Sequence, residues 1–170
     1  VIVGQHSLIQ DCIFRDGNKH NVYVSSDCQV FDCQAVNAYR GDVAPTMYYY
    51  FELQTGGEDV LFHNCSAVSD QADTLARGFG GRKGEGGRFN EVNYTRCSAS
   101  GLVSGFDAAN GANLVTFDTC DVDSSLIGFA LGVSGSFRLL HCTALNVFQP
   151  VISRASDMQV EIVGLSCTMD

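Results

Sequence analysis

Two carboxylates in this 170-residue chain, Glu52 and Asp107, each directly follow a phenylalanine in a short apolar run, "YYYFEL" at 48–53 and "SGFDA" at 104–108. Runs of the same kind recur as "RGFGG", "IGFAL" and "PVISR". Aligned on Phe51, Phe79, Phe106, Phe129 and Ile152, they place Glu52, Gly80, Asp107, Ala130 and Ser153 in one outward column. As neighbouring strands, they would set Glu52 and Asp107 ~9.6 Å apart. Inverting glycosidases separate acid from base by about 6.5–9.5 Å, which leaves room for a water. Glu52 and Asp107 are therefore the expected catalytic pair, with Gly80 leaving space for a sugar. A one-residue slip would turn either side chain inward. The competing reading is two solvated acids on a polar sheet face.

Residues around that pair suit a glycan. Tyr48, Tyr49 and Tyr50 offer aromatic faces to the CH face of a sugar ring, although alternation turns at least one of them inward. Tyr48 and Tyr50 are the expected substrate contacts. Arg77, Arg82, Lys83 and Arg88 form the chain's one basic concentration and could bond a uronate or sulfate. Elimination would need a cation at the uronic carboxylate, for which Arg82 or Lys83 would serve. Solvated loop charge is the plain alternative. Asp70, Asp73 and Glu85 supply oxygen donors of the kind Ca²⁺ takes, but no calcium-loop pattern surrounds them. No cofactor is expected. "GFGGRKGEGG" fails as a P-loop because Gly84 follows Lys83 where Ser or Thr is needed.

The elements that would position these groups are legible in a repeat. Cysteines 12, 33, 65, 97, 120, 142 and 167 align as one column, at intervals of 21, 32, 32, 23, 22 and 25. A period near 22 with two enlarged units marks a repeat architecture. Ile9, Val30, Phe62, Tyr94, Phe117, Leu139 and Gly164 stand three residues before each Cys, and Ala or another apolar residue stands two after it. The apolar phase slips just before Cys, so a tight corner is expected at Asp11, Asp32, Asn64, Arg96, Thr119, His141 and Ser166. A turn-type residue follows Cys by four: Asp16, Asn37, Ser69, Gly101, Ser124 and Asn146. Each unit then carries three short strands. Stacked, such units bury one continuous core. The fold expected is all-β, a right-handed single-stranded parallel β-helix of about seven coils with an interior ladder of reduced cysteines. Cys28 falls in an inward position where other coils have Val or Phe.

Composition narrows the partners. Nineteen acidic against ten basic residues give a net charge of −9, which disfavours a phosphate-tracking nucleic-acid surface and an anionic-membrane surface. No run approaches the ~20 apolar residues of a membrane span. The chain reads as one domain, 1–170, and as a segment of a longer protein, with enlarged loops at 37–47 and 69–90. Seven coils make a rod of only ~35 Å. No capping helix is evident at either end, so flanking domains or self-association are expected to cover the ends.

The repeats "VLFHNCSAV", "VTFDTCDVD" and "RLLHCTALN", with the glycine-led strands between them, resemble the pectate-lyase-like β-helix superfamily. That superfamily includes polysaccharide lyases, glycoside hydrolases and phage tailspike depolymerases. The resemblance implies a polysaccharide partner lying in an outer sheet groove along the glycine-led strand. It implies an extracellular or virion-borne location, and homotrimers like those of tailspikes. It also leaves room for a non-catalytic carbohydrate-binding or structural shaft, because architecture alone carries no reaction.

Overall fold

A three-residue strand with one apolar face cannot stand alone, and this chain gives each such strand a neighbour one coil away. The computed structural model describes residues 1–17, 21–37, 48–53, 59–70, 75–81, 89–108, 112–132, 134–154 and 158–169. Among these residues, three parallel seven-stranded sheets run side by side. The first sheet holds β1 (Ile2–Val3), β4 (Val22–Val24), β7 (Tyr48–Leu53), β10 (Ala76–Gly80), β13 (Ser104–Ala108), β16 (Ile127–Leu131) and β19 (Gln149–Ser153). The second holds β2 (Leu8–Gln10), β5 (Gln29–Phe31), β8 (Val60–His63), β11 (Phe89–Thr95), β14 (Ala112–Asp118), β17 (Gly135–Leu140) and β20 (Gln159–Val163). The third holds β3 (Ile13–Arg15), β6 (Gln34–Val36), β9 (Ser66–Val68), β12 (Ser98–Ser100), β15 (Asp121–Asp123), β18 (Thr143–Leu145) and β21 (Ser166–Thr168). Each coil contributes one strand to every sheet, so the protein is a right-handed parallel β-helix. Of the two spans expected as loops, 38–47, 71–74 and 82–88 lie outside the described residues; β10 occupies part of 69–90.

The corner between second and third sheets is a single residue in the left-handed region. Asp11, Asp32, Asn64, Arg96, Thr119 and His141 have φ between 52° and 54°. One such residue reverses the side-chain phase, which explains why two inward positions lie three apart across it. Asp and Asn tolerate this backbone; a β-branched residue does not. Thr119 is therefore strained, and Thr119→Asn is expected to raise stability by about 1 kcal/mol, read as a higher midpoint of urea unfolding. An unchanged or lower midpoint would show that the strain is compensated elsewhere.

Directly after each corner comes the cysteine. Cys12, Cys33, Cys65, Cys97, Cys120 and Cys142 stand in register, as the pairings of the residues that follow them show. Each thiol donates to the carbonyl two residues back, for example Cys33 to Phe31 at 3.1 Å and Cys65 to His63 at 3.4 Å. Cys120 and Cys142 also reach carbonyls of the preceding coil, Tyr94 at 3.3 Å and Phe117 at 3.4 Å. A small apolar side chain with a weak donor thus fills the core and adds a second donor to the carbonyl before the corner, which already accepts a backbone N–H from the preceding coil. The last coil departs from the expected column. Ala144 pairs with Cys167, which puts Leu165 in the cysteine column and Gly164, at φ 70°, in the corner. A glycine corner two residues earlier than Ser166 moved the register, and Cys167 is exposed.

All eight cysteines are free. Burial pushes the Cys120 thiol far up, and the Cys142 and Cys97 thiols beside it act in the same direction. A reagent must reach the sulfur to react with it, so a thiol-specific reagent should label the exposed Cys167 promptly and the half-buried Cys12 more slowly. The remaining cysteines should react only on unfolding. Fast labelling of Cys97 or Cys120 in the native protein would contradict this packing.

All three sheets line the core, and its aromatic part lies between the first two. Phe51, Phe79, Phe106 and Phe129 stack with ring centroids 4.9, 4.9 and 5.2 Å apart. Phe62, Tyr94 and Phe117 stack opposite at 5.2 and 5.3 Å. The two stacks meet edge to face at 5.3–5.8 Å, the arrangement ring quadrupoles favour. Glycine precedes the stacked phenylalanine in β10, β13 and β16, where the next coil's backbone is close. A Cβ at Gly128 would lie 2.4 Å from the Pro150 carbonyl oxygen. Side chains of the final coil, such as Ile162 at 49% exposure, are much less covered than their counterparts in the middle.

Candidate functional site

The first sheet brings the two expected carboxylates into one column. Phe51 pairs with Phe79, Phe79 with Phe106 and Phe106 with Phe129, which turns the next residue of each strand outward. Glu52, Gly80, Asp107 and Ala130 therefore align as the sequence suggests. The column continues to Ile152 rather than Ser153, because Phe129 pairs with Val151. That end of the alignment was one residue off. Pro150 and the branched Val-Ile pair mask the phase there.

Alternation alone does not show how enclosed this outer face is. Asp107 is 1% exposed and Glu52 4%. The Asp107 carboxylate forms an ion pair with the Arg77 guanidinium on the neighbouring strand. Arg154, just past β19, reaches back across two coils and donates to the same Asp107 oxygen at 3.4 Å. Ala130 occupies the intervening position in the column, and its small side chain keeps that path short. Burial holds the Arg77 guanidinium below its ordinary range; Tyr49 opposes the fall and the Arg154 charge adds to it.

Gly80 does not leave an open space between the carboxylates. A Cβ there would meet the Asp107 carbonyl oxygen at 2.1 Å and a Tyr49 ring carbon at 2.9 Å. Its φ of 149° also disfavours any side chain. The glycine is needed because its neighbours close over it. The Tyr49 hydroxyl donates to the Gly81 carbonyl at 3.3 Å. Tyr49 pairs with Arg77 and lies on the polar side of the sheet. Tyr48 and Tyr50 belong instead to the buried hydrophobic cluster.

The described residues thus bring together Tyr49, Glu52, Arg77, Asp107 and Arg154. Arg82 and Lys83 lie outside the described residues, as do Asp73 and Glu85. Arg154 escaped the sequence reading although it closes the run "PVISR". Its partner is 47 residues away, and only the stacking of three coils relates them. Chemically, a carboxylate held by two guanidiniums keeps its charge and is a poor proton donor.

No protein-family model matches this sequence, and comparison with curated proteins and with solved structures returns no match.

Proposed function

We propose that this protein is a polysaccharide-binding β-helix that holds an extended glycan in a groove on its outer surface without cleaving it. The sequence resemblance to the pectate-lyase-like superfamily supplies the ligand class. The observation that carries the non-cleaving reading is the Arg77–Asp107–Arg154 cluster, which commits one of the two expected acids to ion pairing. A rigid solenoid also suits a polymer, because it presents side chains at a constant axial repeat.

A second reading is an inverting glycoside hydrolase using Glu52 and Asp107. It is favoured by their shared column with Gly80 between them. One experiment separates the two. The protein is incubated with neutral, uronic and sulfated polysaccharides, and binding is followed by affinity electrophoresis. New reducing ends and unsaturated-product absorbance are read in parallel. Retardation without product is the expected result. Reducing ends that disappear in Glu52→Gln and Asp107→Asn would establish the hydrolase. Unsaturated products would indicate elimination. Neither binding nor product, across the panel, would sink the polysaccharide reading altogether.

A further inference from the structure

Outside the first sheet, two open clefts lie on the outer face of the second. One, of about 370 Å³, crosses β5, β8 and β11 and is lined by Asp27, Asp59, Leu61, Glu91 and Asn93 among others. The other, of about 360 Å³, crosses β14, β17 and β20, with Leu114, Ser136, Arg138 and Gln159 in its wall. β11 and β14 are paired neighbours, so the clefts are consecutive along the axis. Register makes them one track. Glu91 pairs with Leu114, Leu114 with Ser136 and Ser136 with Gln159. Beside that column, Asn93, Thr116, Arg138 and Glu161 form another. From β5 to β20 the track spans five coil steps, about 24 Å.

We infer that this outer face of the second sheet is the docking track for an extended, uncharged polysaccharide lying parallel to the solenoid axis. The inference rests on the polysaccharide reading above and adds to it the place and the charge class of the ligand. Length and straightness argue for a polymer, since a compact ligand would use one cleft. Charge argues for a neutral one. At one end Asp27, Asp59 and Glu91 follow one another at the coil spacing, which repels a polyanion. At the other end the Arg138 guanidinium is engaged by Glu161 at 3.1 Å, leaving little to attract one. A polycation would match only the carboxylate half and would face Leu114, Ser136 and Gln159 beyond it. Hydroxyl groups both donate and accept, so a polyol can bond carboxylate, amide and hydroxyl alike. Leu61 and Leu114, half-buried on the same face, can take the CH faces of the sugars.

The test measures equilibrium binding of a neutral glucan, a galactomannan, polygalacturonate, chondroitin sulfate and chitosan. The wild type is compared with Leu61→Arg/Leu114→Arg and with the milder Asn93→Ala/Gln159→Ala. Neutral polymers should bind best. The arginine pair should weaken them at least tenfold and the alanine pair several-fold, with melting temperatures close to wild type. Should the arginine pair unfold the protein, the alanine pair decides alone. Neutral binding that neither pair alters would place the track elsewhere while the polysaccharide reading stands. Preferential binding of polygalacturonate, chondroitin sulfate or chitosan would overturn the charge argument. No binding by any polymer would remove the polysaccharide reading and this inference together.

Discussion

Phe106→Ala is expected to lower the free energy of unfolding by about 3–5 kcal/mol. Its ring stacks on Phe79 and Phe129 and meets Tyr94 and Phe117 edge to face. Truncation removes four aromatic contacts and leaves a void in the middle of the solenoid, where neighbouring coils fix the backbone and limit collapse. For a chain of this size the loss amounts to roughly 6–20 °C in melting temperature. Phe148→Ala is the control: that ring is largely exposed, and its removal should change stability by no more than about 0.5 kcal/mol. Equal effects at the two positions would mean that the stacked rings are not the core.

Asp107→Leu comes next in size, at about 3–5 kcal/mol, because it strands the Arg77 guanidinium in a buried site. Arg77→Met should cost less than Asp107→Leu, because Arg154 still reaches the Asp107 carboxylate. The double variant should be more stable than either single one, since two well-packed apolar side chains replace a buried ion pair at little net cost. Arg154→Ala should cost less than about 1 kcal/mol, its side chain being 32% exposed and screened by water. Chemical denaturation of the four variants gives the coupling directly. Strictly additive losses for Asp107 and Arg77 would show that the pair does not act as a unit.

Much of this architecture is visible in residue order because a β-helix repeats its constraints. The corner must be left-handed, the residue after it small and buried, and the residue three before Cys apolar; the five coils from Cys33 to Cys142 obey all of these rules, and at Cys12 the thiol is only half-buried. In the final coil residue type and backbone conformation part company. Cys167 matched the column by residue type, but Gly164 is the residue whose backbone makes the corner. Type and conformation point to different residues there, and conformation decides. The site was less legible for another reason. Alternation correctly turns Glu52 and Asp107 away from the aromatic stack, but it carries no information on what lies over an outer face. Nor does it reveal that Arg154 approaches from two coils away. Side-chain reach across a sheet depends on the size of the residue passed over, here Ala130, and that becomes apparent only in the stacked structure.

Coils that touch only their immediate neighbours also have a consequence for motion. Opening one coil exposes only its two interfaces, so local unfolding free energy is graded along the axis rather than shared by the whole domain. The aromatic stack from Phe51 to Phe129 ties the central coils together, while β20 and β21 carry exposed side chains throughout. Amide hydrogen exchange should therefore be slowest around β10, β11 and β13 and fastest at the terminal coils. The molecule is expected to open like a zipper, from its terminal coils toward the stacked middle.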